Sequence, residues 1–250
     1  MIGLVIKEIS ERRKNLLKWK MVPLSMNLDL YYALCRKYPR YKYLCQEVLF
    51  FDVLDSNAIL NFLTERDIKT LYHFTPVNNL YSIFINGICP VSELKRRNID
   101  FIQPDNKRLD GRYNAVSLSI SKPNQKLLKA KAEYEFDIPF CIIELDSSLL
   151  FEFDNVKEFF PTNAAHYKKE LREHPFTSLS DLQSMFGDGT CFPKDEQAEV
   201  LFHGIIPIRY INRVHFQHDE DILPELSPFR NLFSVNAPLF GFQITQIRIF

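Results

Sequence analysis

Hydrophobic positions recur at two different spacings along this chain, and the spacing changes near residue 70. Helical faces repeat every three to four residues and strand faces every two. Before residue 70 the pattern is helical. Residues 1–20 read as a short basic helix with Arg12, Arg13, Lys14, Lys18 and Lys20, a charge run of the kind that is usually solvated. Residues 27–68 read as mostly helical and aromatic. Within them "SNAILNFLTERDI" predicts a helix capped by Ser56 or Asn57, with Ile59, Leu60 and Leu63 as its apolar face.

After residue 70 strands outnumber helices. Leu71–Phe74 predicts a short buried strand. Thr75 then suits a helix N-cap and Pro76 the first helical position, with Leu80, Ile83 and Phe84 at helical spacing. Gly87 suits the left-handed position after the helix. "NAVSLSIS" alternates strictly, which predicts a half-buried strand with Val116, Leu118 and Ile120 on one face and Ser117, Ser119 and Ser121 on the other. "IPFCIIEL", "QAEVLFHG", "IIPI", "YINRVHF" and "FQITQIRIF" read as further strands. Two helices broken at Pro175 are expected between His166 and Phe186, with "SDLQ" from Ser180 as a capping box. The expectation is an α+β fold: a helical N-terminal extension over 1–68 and a strand-rich domain over 69–250.

Composition narrows the class. Hydrophobic residues make up 46% and charged residues 25% of 250 residues, as in a globular protein. The formal net charge is zero, so no global field attracts a polyanion. Charge is nonetheless uneven: Val91–Lys131 holds ten Lys or Arg against four Asp or Glu, a stretch able to meet phosphates. The five cysteines are odd in number and contain no C-x-x-C. That argues against a disulfide framework or a zinc cluster and for a reducing, cytoplasmic setting. No apolar run suits a transmembrane helix, and charges interrupt the first residues too early for a signal peptide.

No dinucleotide fingerprint, P-loop, zinc-protease or nucleophile-elbow motif occurs, and nothing groups the six His into a metal site. The chemical candidates are "YHFT", "NKRLDG", "VSLSIS", "FPTNAA" and "QAE". In "QAE", read as strand, Gln197 and Glu199 share a face and put an amide beside a carboxylate. The bland alternative is a solvated strand edge. Each other candidate has a structural competitor too: Thr75 as a helix cap, His73 as a core histidine, Ser117 and Ser119 as polar strand positions, Arg108 as a solvated loop residue.

Taken in order, "LYHFTPVNNLYSIFINGI", "PDNKRLDGRYNAVSLSISKPN", "FPTNAA" and "DEQAEVLF" followed by "IIPI" resemble the successive motifs of the DarT family, toxins that ADP-ribosylate single-stranded DNA. The resemblance spans residues 60–215. It implies an ADP-ribosyltransferase split β-sandwich that grips NAD as co-substrate, without a metal. It implies Glu199 as the catalytic glutamate and Arg108 as the essential arginine, with Arg112 as a competitor for that role. His73, Thr75, Ser117 and Ser119 would line the NAD side of the cleft. Gln197 would contact the acceptor base, and Asn163 would serve the substrate region. Tyr167–Lys194 would form a substrate-facing loop.

The chemistry is coherent on its own terms. Losing nicotinamide builds oxocarbenium-like positive charge on a ribose, which a nearby carboxylate stabilises. The implied acceptor is thymidine in single-stranded DNA, with guanine as an alternative, since an unpaired base avoids the cost of unstacking. The implied partner is a macrodomain antitoxin of the DarG type. Three other readings stay open: modification of RNA or protein, a catalytically inert nucleic-acid-binding module, and an NAD glycohydrolase.

Overall fold

The computed structural model describes residues 56–103, 111–134, 138–152, 157–167 and 176–242. The expected N-terminal basic helix, most of the 27–68 helical stretch, Arg108 and the strand "FQITQIRIF" beyond Phe242 lie outside these residues. The described residues belong to one compact unit, Val53–Phe250.

The fold is α+β. Helix α1 (Ser56–Glu65) leads into strand β1 (Thr70–Pro76). Helices α2 (Leu80–Asn86) and α3 (Val91–Arg96) follow. Strand β2 (Ala115–Ile120), helix α4 (Gln125–Tyr134) and strand β3 (Phe140–Asp146) come next. Helix α5 (Leu149–Glu152), strand β4 (Lys157–Phe160) and helix α6 (Leu179–Ser184) precede strand β5 (Glu199–His203). Strands β6 (Ile211–Phe216) and β7 (Phe233–Val235) and helix α7 (Ala237–Phe240) complete the unit.

The seven strands form one mixed sheet in the order β4-β5-β2-β1-β3-β6-β7, antiparallel except for the parallel β6–β7 pair. Its middle is its weakest seam. β1 pairs with β3 along all seven residues, from Thr70 opposite Asp146 to Pro76 opposite Phe140. It pairs with β2 only at Leu71–Ile120 and Tyr72–Ser119. Past Tyr72 the two halves of the sheet share no ladder, and this split positions the site.

One face of the sheet carries the main core, including Leu71, Val116, Leu118, Ile143, Val200 and Phe202. α1 contributes Ile59, Phe62 and Leu63 to it, and Phe62 meets the Phe186 ring edge-on at 5.6 Å. The predicted apolar face of this helix is right at Ile59 and Leu63 and wrong at Leu60, which is exposed; Phe62 takes the core place. Two smaller clusters sit elsewhere, around Phe140, Ile142, Leu128 and Phe240 and around Phe160, Leu201, Ala115 and Ala164.

Local punctuation departs from the sequence reading in four places. Thr75 is no N-cap, because pairing with β3 carries β1 through Thr75 and Pro76, and a three-residue 3-10 turn, Val77–Asn79, precedes α2. Gly87 has φ +78° but ψ 177°, outside the left-handed helical region. It is needed for space: a Cβ there would lie 2.5 Å from the Ile206 carbonyl oxygen. That close approach lets Ile88 and Ile206 bridge, so "IIPI" is a single bridge rather than a strand. The capping box falls two residues earlier than predicted, on Ser178 and Asp181. β4 and β7, short and without a strict alternation, carried no signal strong enough to predict.

Candidate active site

The split between β1 and β2 opens a cleft of about 350 Å³, within the size range of small-molecule sites. Its walls include β1 from Tyr72 to Pro76, Ala115, Val116, Ser117 and Ser119 of β2, Asn79 and Gly87 at the two ends of α2, and Leu127 and Lys131 of α4. His73, Thr75, Ser117, Ser119, Asn163 and Glu199 all line it. The sequence separates them by up to 126 positions; the sheet register brings them together.

Glu199 opens β5, with Ser119 opposite it on β2. Diagonal neighbours on one sheet face are within reach of each other, and Ser117 uses this: its hydroxyl donates to Glu199 Oε2 at 2.5 Å. The other carboxylate oxygen accepts from the Ala164 backbone N–H, also at 2.5 Å. Glu199 is therefore held at both oxygens by donors from two separate chain segments.

The Ala164 N–H is itself aimed by its neighbours. Asn163 Oδ1 accepts from the Ala165 N–H at 2.9 Å, a side-chain-closed turn of the kind Asn favours. Beneath it Phe160, Tyr167 and Phe176 pack as a three-ring cluster with centroids 4.9–5.8 Å apart. Asp195 ties this turn to the segment entering β5. Hydrogen bonds from Thr162 and from the Gln197 backbone hold its carboxyl below the usual aspartate range, and the Gln197 N–H lies 2.9 Å from Oδ1. Gln197 thus sits in a turn ahead of β5 and does not share a strand face with Glu199, as the alternation argument had expected.

Across the cleft, His73 Nδ1 lies 3.0 Å from the Ser117 carbonyl oxygen. A carbonyl only accepts, so Nδ1 carries the proton. The bond ties the two half-sheets together just past the point where their ladder ends. Thr75 Oγ1 accepts from Asn79 Nδ2 at 3.0 Å. The Asn79 amide also exchanges hydrogen bonds with the Ile102 backbone, at 2.9 Å to the carbonyl and 2.8 Å from the N–H. It fastens Phe101–Gln103 against the cleft. Ser119 Oγ accepts from the Asn124 N–H at 3.1 Å, fixing the turn into α4.

Arg112 does not line the cleft. Its guanidinium forms a two-point pair with Glu158, both bonds 2.9 Å, and His203 Nε2 meets the same carboxylate at 2.9 Å. Burial alone would raise the Glu158 carboxyl; its bonds to His203 and Arg112 outweigh that and hold it below the ordinary value. In the basic stretch Val91–Lys131, Arg96 and Arg97 are both paired with Glu93 at 2.6 Å, whereas Lys131 reaches the cleft. Asn79 and the Ala164 N–H escaped the sequence reading. A backbone donor leaves no residue signature, and nothing in "PVNNLYS" announces a contact 23 residues away.

The family model described as "ssDNA thymidine ADP-ribosyltransferase, DarT" matches residues 72–223. The chain belongs to the DarT family. The matched span holds every described residue of the site. Among solved structures, Thermosipho africanus DarTG in complex with ADP-ribose matches at 17% identity and TM-score 0.46, over 70% of this chain and 51% of that one. Thermus sp. 2.9 DarT in complex with NAD+ matches at 13% identity and TM-score 0.44, over 68% of this chain and 96% of that one. The same protein in complex with ADP-ribosylated ssDNA matches at 13% identity and TM-score 0.41, over 68% and 95%. No curated protein matches the sequence.

Proposed function

We propose that this DarT-family chain transfers ADP-ribose from NAD to thymidine in single-stranded DNA, with Glu199 as the catalytic carboxylate. The observation that carries this is the Glu199 carboxylate, fixed in the cleft wall by Ser117 and the Ala164 N–H. A carboxylate held in advance stabilises developing positive charge without reorganising at the moment of reaction. The bond that breaks joins the nicotinamide nitrogen to the ribose, and nicotinamide leaves neutral. The bond that forms joins the same ribose carbon to the base. The thymine ring has one N–H, so that nitrogen is the nucleophile and its proton is released.

His73, Thr75, Ser117 and Ser119, which line the cleft, take the NAD side, and Gln197, in the turn ahead of Glu199, contacts the incoming base. Asn163 acts through the turn that presents the Ala164 N–H. Arg108 completes the phosphate side on the strength of its motif, and Arg112 supports the sheet through Glu158. The chain works as a cytoplasmic toxin opposed by a DarG-type antitoxin. This rests on the family and on its DNA substrate; among the described residues no helix is long and apolar enough to cross a membrane. The catalytic domain takes in α1 as well as residues 69–250, because Ile59, Phe62 and Leu63 belong to its core.

The test is intact mass of a mixed-sequence single-stranded oligonucleotide after incubation with NAD and enzyme. The expected result is the added mass of ADP-ribose, mapped to thymidine by fragmentation and absent with Glu199→Ala. Nicotinamide release without an adduct would replace transfer by NAD hydrolysis. Intact NAD with bound oligonucleotide would leave a binding module.

A further inference from the structure

Outside the cleft wall, one large apolar side chain is held in solvent by an anchored backbone. Phe192 is 51% exposed, while its neighbours turn inward. Cys191 packs against the main core, and Pro193 is buried and bridges to Phe186. Thr190 Oγ1 accepts from the Phe192 N–H at 3.1 Å, and the Lys194 N–H donates to the Met185 carbonyl at 2.8 Å. Single exposed apolar residues are ordinary, so exposure alone decides nothing. The surroundings of this one do. Lys122 Nζ lies 5.9 Å from the Phe192 ring centroid, at the outer reach of a cation–π contact.

The pair also lies at the right end of the sheet. β2 and β5 run antiparallel with Ser119 opposite Glu199. Lys122 follows Ser119 by three residues and Phe192 precedes Glu199 by seven. Both segments therefore leave the β2–β5 pair at the same end, the end that carries Glu199. Lys126, on the first turn of α4, acts on Asp195 of the same segment. Asp188 and Glu196 are exposed there too, so attraction for a polyanion is local to the lysines.

We propose that Phe192 and Lys122 form a subsite for a nucleotide flanking the modified thymidine: the ring stacks that nucleotide's base and the ammonium binds its phosphate. This rests on the DNA-transferase reading above. Stacking tolerates any base, because every base has a π-face. The ammonium already rests near the ring, so a stacked base brings its own phosphate within the lysine's reach.

The experiment compares wild type with Phe192→Ala, Phe192→Trp and Lys122→Gln in steady-state transfer and in equilibrium binding of a single-stranded oligonucleotide across salt concentrations. Phe192→Ala is expected to raise the oligonucleotide KM about tenfold while the NAD KM holds, and Phe192→Trp to restore it. Lys122→Gln is expected to flatten the slope of log affinity against log salt by about 0.7, the share of one single-strand phosphate. A wild-type oligonucleotide KM in Phe192→Ala overturns the subsite. So does a Phe192→Trp enzyme as impaired as Phe192→Ala, which would mean that the ring only props its loop. An unchanged salt slope removes Lys122 from it. If wild type adds no ADP-ribose to DNA, the transferase reading has failed; if it does and the variants match it, only the subsite has.

Discussion

Ser117 serves Glu199 and His73 at once: its hydroxyl donates to the Glu199 carboxylate and its carbonyl accepts from the His73 ring. One residue of β2 thus couples the Glu199 carboxylate to the opposite half-sheet. Ser117→Ala removes the first bond and leaves the second, which is made by backbone. A hydrogen bond to a charged group contributes about 1.5–3 kcal/mol. The expected outcome is a kcat lower by about tenfold or more, with a melting temperature lowered by no more than that one bond accounts for. Steady-state kinetics beside a thermal melt checks it, and an unchanged kcat would mean that the Ala164 N–H suffices to hold Glu199.

Asp195 predicts an acid limit for the site. Its carboxyl is held below the ordinary value of 3.8 by Thr162 and the Gln197 backbone. A depressed folded-state value contributes stability that is present above the unfolded value and is lost as pH falls through the folded one. The tie between the Thr162 turn and the β5 entrance is therefore intact at neutral pH and releases only below about pH 4. Asp195→Ala is expected to lower kcat at neutral pH. Pairing it with Thr162→Val should add little further loss, because both remove the same bond. Fully additive losses in the double-mutant cycle would show that the two side chains act separately.

The residues that line the cleft were legible in the sequence because each sits in a motif with its own local chemistry. "QAE" and "VSLSIS" meet in register, as their strand patterns allow. What stayed hidden were contacts whose partners lie far apart or carry no side-chain signature. The Ala164 N–H is one. The Asn79 clamp on Ile102 is another. The alternation argument also overreached at Gln197, because Asp195 closes a turn on its backbone N–H and delays the strand to Glu199. At Thr75 the helix-start signals were real, but the β1–β3 ladder competes for the same residues and wins. β4, "KEFF", is buried at every position, and so it lacks the alternation that marks a half-buried strand.

Arg112 separates a structural arginine from a ligand-binding one. It and His203 are partners of the nearly buried Glu158 carboxylate. Removing one partner of a buried ion pair typically costs about 3–5 kcal/mol, because the remaining charge loses its compensation. Arg112 is itself partly exposed and His203 remains, so Arg112→Ala should fall at or below the low end of that range. Denaturant unfolding is expected to show this loss, while the NAD KM shifts less than twofold. A large rise in NAD KM at unchanged stability would return Arg112 to the cofactor side.

Asn79 gives the most local test of the cleft. Its amide spans Thr75 on β1 and both backbone groups of Ile102, and Phe101, Ile102 and Gln103 all line the cleft. Neutral hydrogen bonds of this kind contribute about 1 kcal/mol each. Asn79→Ala removes three at once, and some of the loss is recovered by water at this partly exposed position. Asn79→Asp keeps the acceptor for the Ile102 N–H but loses the donor to Thr75 and to the Ile102 carbonyl. The expected order of NAD KM is therefore wild type lowest, Asn79→Asp intermediate and Asn79→Ala highest, with a spread of about tenfold. Hydrogen exchange at Ile102 provides the structural readout, since its amide loses its acceptor in Asn79→Ala but keeps one in Asn79→Asp. Equal protection in all three proteins would show that segment 101–103 is held by its own backbone, and the KM order should then collapse with it.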